Sequence, residues 1–313
     1  MKIKYILFSF SLLALFSSCE NELMQEVSFD VAVAPAEGLT ITDTLITATK
    51  GSTLSFNFSG EPDFISMSYE HFTPSYSELI FSTMVAWGTH FENTLSVYVS
   101  DEFQGLALND FKLDSAAITS HTWTNISALS NLPTTVNTKK QAIIDMTQYR
   151  GKNVVIAFHY HPVTSDDLQP AWQIFDLNLK NSLVPDSSLM STNLAATMGF
   201  SPFDILRGDT TAYKSEPVAG VWSVNNPALM EIKRSSRYAA LNNDWLISKP
   251  VAVPLGKTEN SQVFPLKNTS NYLESYKYKF DKPGEYLISF KASNVNYQSK
   301  SSVVRTVKLL ITK

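Results

Sequence analysis

Apolar and polar positions alternate with a period of two through much of this chain. The alternation is clear in Leu54-Ser55-Phe56-Asn57-Phe58-Ser59, in Leu95-Ser96-Val97-Tyr98-Val99-Ser100, and in residues 276–280 and 286–292, where Tyr, Ile and Phe take every second place. A period of two sends successive side chains to opposite faces, so each segment predicts an antiparallel strand with one buried and one wet face. The unbroken run Val154-Val155-Ile156-Ala157-Phe158 predicts a strand covered on both sides, and its β-branched content suits that. Turn signals separate the segments at Glu61-Pro62-Asp63, Arg150-Gly151-Lys152 and Lys282-Pro283-Gly284. Helical spacing is sparse, with one turn predicted over 145–149 and another over 193–200, and no solenoid or propeller repeat is visible. The pattern predicts an all-β chain made of β-sandwiches.

The start of the chain breaks this pattern. Lys2 and Lys4 precede an apolar run over 5–16, which gives way to Ser17-Ser18-Cys19-Glu20. The run is shorter than the ~20 residues of a membrane-spanning helix, and with its basic flank it predicts a cleavable leader over 1–18. Cys19 is the only cysteine and stands where a lipoprotein leader is cut, although Phe16 occupies a position usually held by an aliphatic residue. The mature chain is therefore expected to begin at an acylated Cys19 on a membrane surface. Several acyl chains, each buried CH₂ contributing about 0.8 kcal/mol, make a stable anchor. No thiol would then remain for a disulfide, so the fold must rest on hydrophobic burial.

Residues 19–26 read as a short acidic tether, and loss of Lys2 and Lys4 takes the formal charge from −4 to −6. No basic run or stripe is present, which argues against nucleic acid as a partner. The acidic stretch after the cysteine resembles that of surface-exported lipoproteins of the Bacteroidota, which implies an outer-membrane anchor facing the cell exterior. Asp43-Thr44-Leu45, Asp114-Ser115-Ala116 and Asp209-Thr210-Thr211 are similar to the O-glycosylation triplet of exported proteins in that phylum.

About 295 residues after the leader exceed what one sandwich holds, so two domains are expected. Residues 27–69 look like the first half of a PKD-like or immunoglobulin-like sandwich. The stretch 278–294, a Tyr strand, a Pro-Gly turn, a second Tyr strand and Asn294, resembles the PKD signature, with a closing strand over 303–311. The expectation is a discontinuous PKD-like domain over 27–69 and 270–313, interrupted by an insert over 70–269. The insert resembles a jelly roll of the choice-of-anchor J or cleaved-adhesin type. That resemblance rests on residues 79–83, 95–101, 122–126, 149–160 and 172–177, and above all on Asp244-Trp245-Leu246-Ile247-Ser248-Lys249-Pro250-Val251. This last motif comes first in the usual order and last here, which implies a circular permutation. Such a permutation would bring the ends of the insert together, as insertion into a host requires. The whole resembles a group of Bacteroidota surface lipoproteins known only as a domain of unknown function.

Signatures of hydrolases, phosphate loops and Cys-His metal sites are absent, and no catalytic residue is expected. His159 and His161 share a strand face in metal-ligand spacing but need a third group. Asp101, beside Glu102, and the pair Asp166 and Asp167 are candidate structural calcium ligands; no other cofactor is expected. Sugar binding is the sharper expectation, because aromatic faces stack on pyranose rings while amide side chains pair with hydroxyls. Trp87, Trp172 and Trp245 lie in strand-like segments and are expected in the core. Trp123 with Asn125, and Trp222 with Asn225, stand in polar contexts and are the expected ligand contacts. The leading expectation is a glycan-capturing lipoprotein working with outer-membrane uptake proteins. The alternative is an adhesin or structural lipoprotein that binds a protein partner.

Overall fold

The computed structural model describes residues 26–42, 44–162, 168–207, 211–235, 242–296 and 299–313. The leader, Cys19, Asp43, Asp166, Asp167, Asp209 and Thr210 lie outside the described residues. The chain is all-β, with several sheets in a sandwich-like arrangement, as the alternation predicts. It divides into two compact units. One holds the described residues up to Phe72 together with Thr258–Lys313, and the other is Thr73–Lys257.

In the first unit, Thr53–Ser59 lies between Asp30–Val33 and Ser275–Lys279, antiparallel to both. A second layer is built on Gly284–Val295. This strand pairs with residues 64–72 of the strand Phe64–Trp87 and with Lys300–Thr312, which runs parallel to Ile46–Thr49. Leu54 and Phe56 of the first layer meet Ile65, Met67, Ile288, Phe290, Leu309 and Ile311 of the second, with Phe280 buried between. These are the apolar members of the alternating segments. Each fully buried Leu, Ile or Phe contributes about 1.5–3 kcal/mol, enough to hold together strands more than 200 residues apart in the chain.

In the second unit, residues 75–87 of Phe64–Trp87 pair with Ala171–Leu183, which pairs with Leu229–Ile232, and that strand with Trp222–Ser223. The opposite sheet runs Ser201–Asp204, Asp244–Ile247, Asn153–Tyr160, Leu95–Ser100 and Thr124–Asn125, antiparallel throughout. Between the sheets Leu79, Phe81 and Ile174 pack on Val97, Ile156 and Phe158, with the Phe81 and Phe158 rings edge to face at 5.4 Å. The run 154–158 is buried at every position. Val154, Ile156 and Phe158 face this core, while Val155 and Ala157 face a second cluster with Trp245, Ile247, Phe203 and Ile118.

Ile118 belongs to the helix Phe111–Ser120, which periodicity missed. The overlooked signal was a cap: the Asp110 carboxylate accepts from the Leu113 amide at 3.0 Å. Asp114, from one of the glycosylation-like triplets, is buried in this helix. Its carboxylate accepts from the amides of Ala107 and Leu108 at 2.7 and 2.9 Å and from the Tyr213 hydroxyl at 2.6 Å. The two expected helical turns appear as the 3₁₀ turn Thr147–Tyr149 and the helix Ala195–Met198.

Candidate functional site

Tryptophan placement departs from expectation at two positions. Trp222 is not a surface ligand contact: it is 1% exposed in the core, and its indole N–H donates to the Asp244 carbonyl at 3.2 Å. The reason is pairing, since Trp222 sits opposite Ile232, and the polar character of its surroundings belongs to the following turn. There the Asn226 carboxamide caps Ala228, and Asn225 is exposed and accepts from the Ser215 hydroxyl at 3.2 Å. Trp87, expected in the core, is 61% exposed at the end of its strand with the Arg234 guanidinium 5.4 Å over its ring. Trp172 and Trp245 are buried as expected.

Trp123 is half-buried, and its indole N–H donates to the Ile118 carbonyl at 3.2 Å. Its ring packs on Phe103, His121 and Trp245, with centroids 4.7, 4.9 and 5.6 Å away. Trp123 and Trp222 therefore line no common groove. Trp123 closes an aromatic layer on the outer face of the sheet, continued by Tyr98, Trp245, His159 and His161.

Asn125 lies at the mouth of a cleft of about 430 Å³ in the second unit. Residues 91–96 form one wall, residues 125–134 the other, and Trp172 the floor. Its geometry follows from local hydrogen bonds. The Thr94 hydroxyl donates to the Phe91 carbonyl at 2.6 Å and accepts from the Trp172 indole at 3.0 Å, which ties the first wall to the floor. The Val97 amide donates to the Ser127 hydroxyl at 2.8 Å, and the Ser127 amide to the Asn125 carboxamide oxygen at 2.9 Å. This arrangement leaves the Asn125 amide hydrogens and the Ser127 hydroxyl hydrogen as donors at the rim. Phe91 supplies a half-buried ring, and exposed Glu92 and Asn93 supply acceptors and donors beside it. Asn93 holds φ 60°, a left-handed turn conformation that Asn tolerates better than most residues. Asn125, named in the sequence analysis, lines this cleft, whereas Phe91, Glu92 and Asn93, which also line it, were not named there. The available signal was the turn-type residue Asn93 in Phe91-Glu92-Asn93-Thr94, two positions after an aromatic residue and two before the strand Leu95–Ser100.

Among the described residues the metal candidates do not assemble; Asp166 and Asp167 lie outside them. Asp101 is ion-paired with Lys152, and that lysine holds its carboxyl below the usual range. His159 Nε2 lies 2.8 Å from Asn243 Oδ1, and the two histidine rings stack at 5.4 Å and 14° without a third ligand. Among the described residues no group of three His, Cys, Asp or Glu could hold a metal ion. A carboxyl pair does form across neighbouring strands, where Asp204 stands opposite Asp244 and Arg207 reaches Asp204 at 2.8 Å. Burial, then the Asp204 charge, pushes the Asp244 carboxyl up to about 8, so Asp244 carries the proton of the pair at neutral pH.

Residues 18–200 match the family model described as Domain of unknown function (DUF5017). No curated protein matches the chain.

Proposed function

This chain belongs to the DUF5017 family, and we propose that it is a glycan-binding surface lipoprotein rather than an enzyme. In this reading Cys19 carries the lipid anchor at the outer membrane, and the unit Thr73–Lys257 is the recognition head. The finer resemblances, a PKD-like host and a permuted jelly-roll insert in a Bacteroidota surface protein, belong to the same proposal.

The observation that supports it is the cleft between Phe91 and Asn125. An aromatic ring, two carboxamides, a carboxylate and hydroxyls converge on about 430 Å³, within the range of small-ligand sites. A pyranose presents an apolar face to a ring and an equatorial fringe of hydroxyls to amides, which is the chemistry this lining offers. Single-site affinity for such a ligand is commonly near mM, about −4 kcal/mol, and many anchored copies on one membrane would compensate by multivalency.

The test is binding of the full chain in detergent to a glycan array, with and without calcium, beside Phe91→Ala and Asn125→Ala. Selective binding that either substitution weakens is the expected result. An array without selective binding by folded protein turns the assignment to the protein-binding adhesin. Acylation is checked separately by incorporation of labelled palmitate, expected in the unsubstituted chain and absent in Cys19→Ser.

A further inference from the structure

The unit formed by the two ends of the chain holds a pocket of its own, about 240 Å³ in volume. Tyr69 and His71 come from one strand, Glu259, Asn260 and Ser261 from the segment after residue 257, and Tyr278 from Ser275–Lys279. The walls are tied at the backbone: the Tyr69 amide donates to the Ser261 hydroxyl at 2.8 Å, and the Ser261 amide to the Tyr69 carbonyl at 2.9 Å. The hydroxyls of Tyr69 and Tyr278 lie 3.2 Å apart. Behind them Phe280 and Tyr286 are buried and pack edge to face at 4.9 Å, giving the two outer tyrosines a rigid backing.

We propose that this pocket is a second carbohydrate site, which takes one sugar ring against Tyr69 and Tyr278 with Glu259, Asn260 and Ser261 as hydrogen-bonding partners. The ligand class rests on the glycan reading above, but the site stands on separate residues.

Charge selects a neutral ligand. Lys282 lies 3.1 Å from Glu259 and Lys279 lies 2.9 Å from Asp281, so the rim compensates its own charges and favours neither anion nor cation. Polarity selects a hydroxylated one. Pro283 O can only accept, so His71 Nε2, 2.9 Å away, is the N–H, and the opposite ring nitrogen lies 3.9 Å from the Glu259 carboxylate. Burial, then the Tyr69 hydroxyl, raises the Tyr278 phenol, so it stays protonated and presents a hydroxyl beside that of Tyr69, while the Tyr286 hydroxyl donates to the Lys282 carbonyl at 2.8 Å. Size selects a single ring, because the volume lies below the ~300–1,000 Å³ typical of larger ligands.

Saturation-transfer NMR with methyl glycosides of glucose, galactose, mannose and N-acetylglucosamine tests the site on the full chain in detergent. Tyr278→Phe removes a hydroxyl and Glu259→Gln turns one carboxylate acceptor into a donor, both with shape preserved, and Asn125→Ala disables the other cleft. At least one glycoside is expected to receive saturation in the unsubstituted chain and in Asn125→Ala. In the double variant its binding is expected to weaken roughly fivefold for each hydrogen bond lost. Transfer unchanged in the double variant, or no transfer to any glycoside, overturns the proposal. Array binding unchanged by Asn125→Ala but weakened by the double variant would place the glycan site in this pocket and not in the cleft.

Discussion

The His159 imidazole lies face to face on the Trp245 indole, with centroids 4.1 Å apart and planes within 12°. One acceptor, Asn243 Oδ1, serves both rings, 2.8 Å from His159 Nε2 and 3.2 Å from the indole nitrogen. Burial pushes His159 down to about 4, against the upward pull of Asn243 and with a further push from His161.

His159 should therefore stay neutral at physiological pH. Its folded-state pKa lies below the unfolded value, so its contribution to stability is present above about pH 6.5 and is lost as pH falls through about 4. NMR titration of the His159 ring is expected to show this low midpoint. Trp245→Ala, which uncovers the ring, should move the midpoint toward the ordinary value; a midpoint already near 6.5 in the unsubstituted protein contradicts the burial account.

Asp244 has the opposite sign of dependence. Its folded-state pKa is raised to about 8, so its contribution is complete below about pH 4 and is lost as pH rises through 8. Urea denaturation at pH 5, 7 and 9 should show stability falling by a few kcal/mol on the order expected for such a shift. Asp244→Asn keeps a neutral donor toward Asp204 and should flatten that slope. An equally steep slope in the variant would assign it to other groups.

Trp222→Ala is expected to cost about 3–5 kcal/mol, as does removal of other buried aromatic side chains. Glycan binding per folded molecule should be unchanged, because the ring is in the core. Thermal melts and array binding of the same preparation separate the two effects, and a stable variant that fails to bind would restore Trp222 as a contact.

Asp114→Ala removes the acceptor of the Ala107 and Leu108 amides. Each donor left unsatisfied costs about 1–3 kcal/mol. Hydrogen exchange should accelerate at these two amides and across Phe111–Ser120, while exchange in strands of the other unit should not change.

Gly284 adopts φ +137°, and a Cβ there would stand 2.5 Å from His71 Nε2 and 2.7 Å from the Phe72 carbonyl oxygen. Gly284→Ala is expected to destabilise the protein by about 1–3 kcal/mol through strain and to shift the His71 ring resonances. Unshifted His71 signals would show that the turn accommodates the methyl group elsewhere.

Local periodicity made the element types legible. Residues 95–100 alternate and form a strand over the same residues, and the apolar run at 154–158 is buried on both faces. The all-β class follows from such segments, because a period of two suits strands and is incompatible with one face of a helix. The helix at Phe111–Ser120 escaped notice because only Asp114 and Ile118 of its residues are buried, which leaves little apolar stripe to read.

Which side chains meet was decided only by the tertiary structure. Trp87 stands in a strand-like segment and Trp222 in a polar one, yet Trp222 is covered by its neighbours and Trp87 meets water beside Arg234. The Asn125 cleft draws on residues 91–96, 125–134 and Trp172, and the tyrosine pocket joins Tyr69 to Tyr278, more than 200 positions away. The sequence by itself determined strand, face and polarity, since these depend on neighbours two positions apart. Burial, pairing partners and the contents of each cavity were settled only by register between distant strands, where the hydrophobic surface of one segment finds its cover in another.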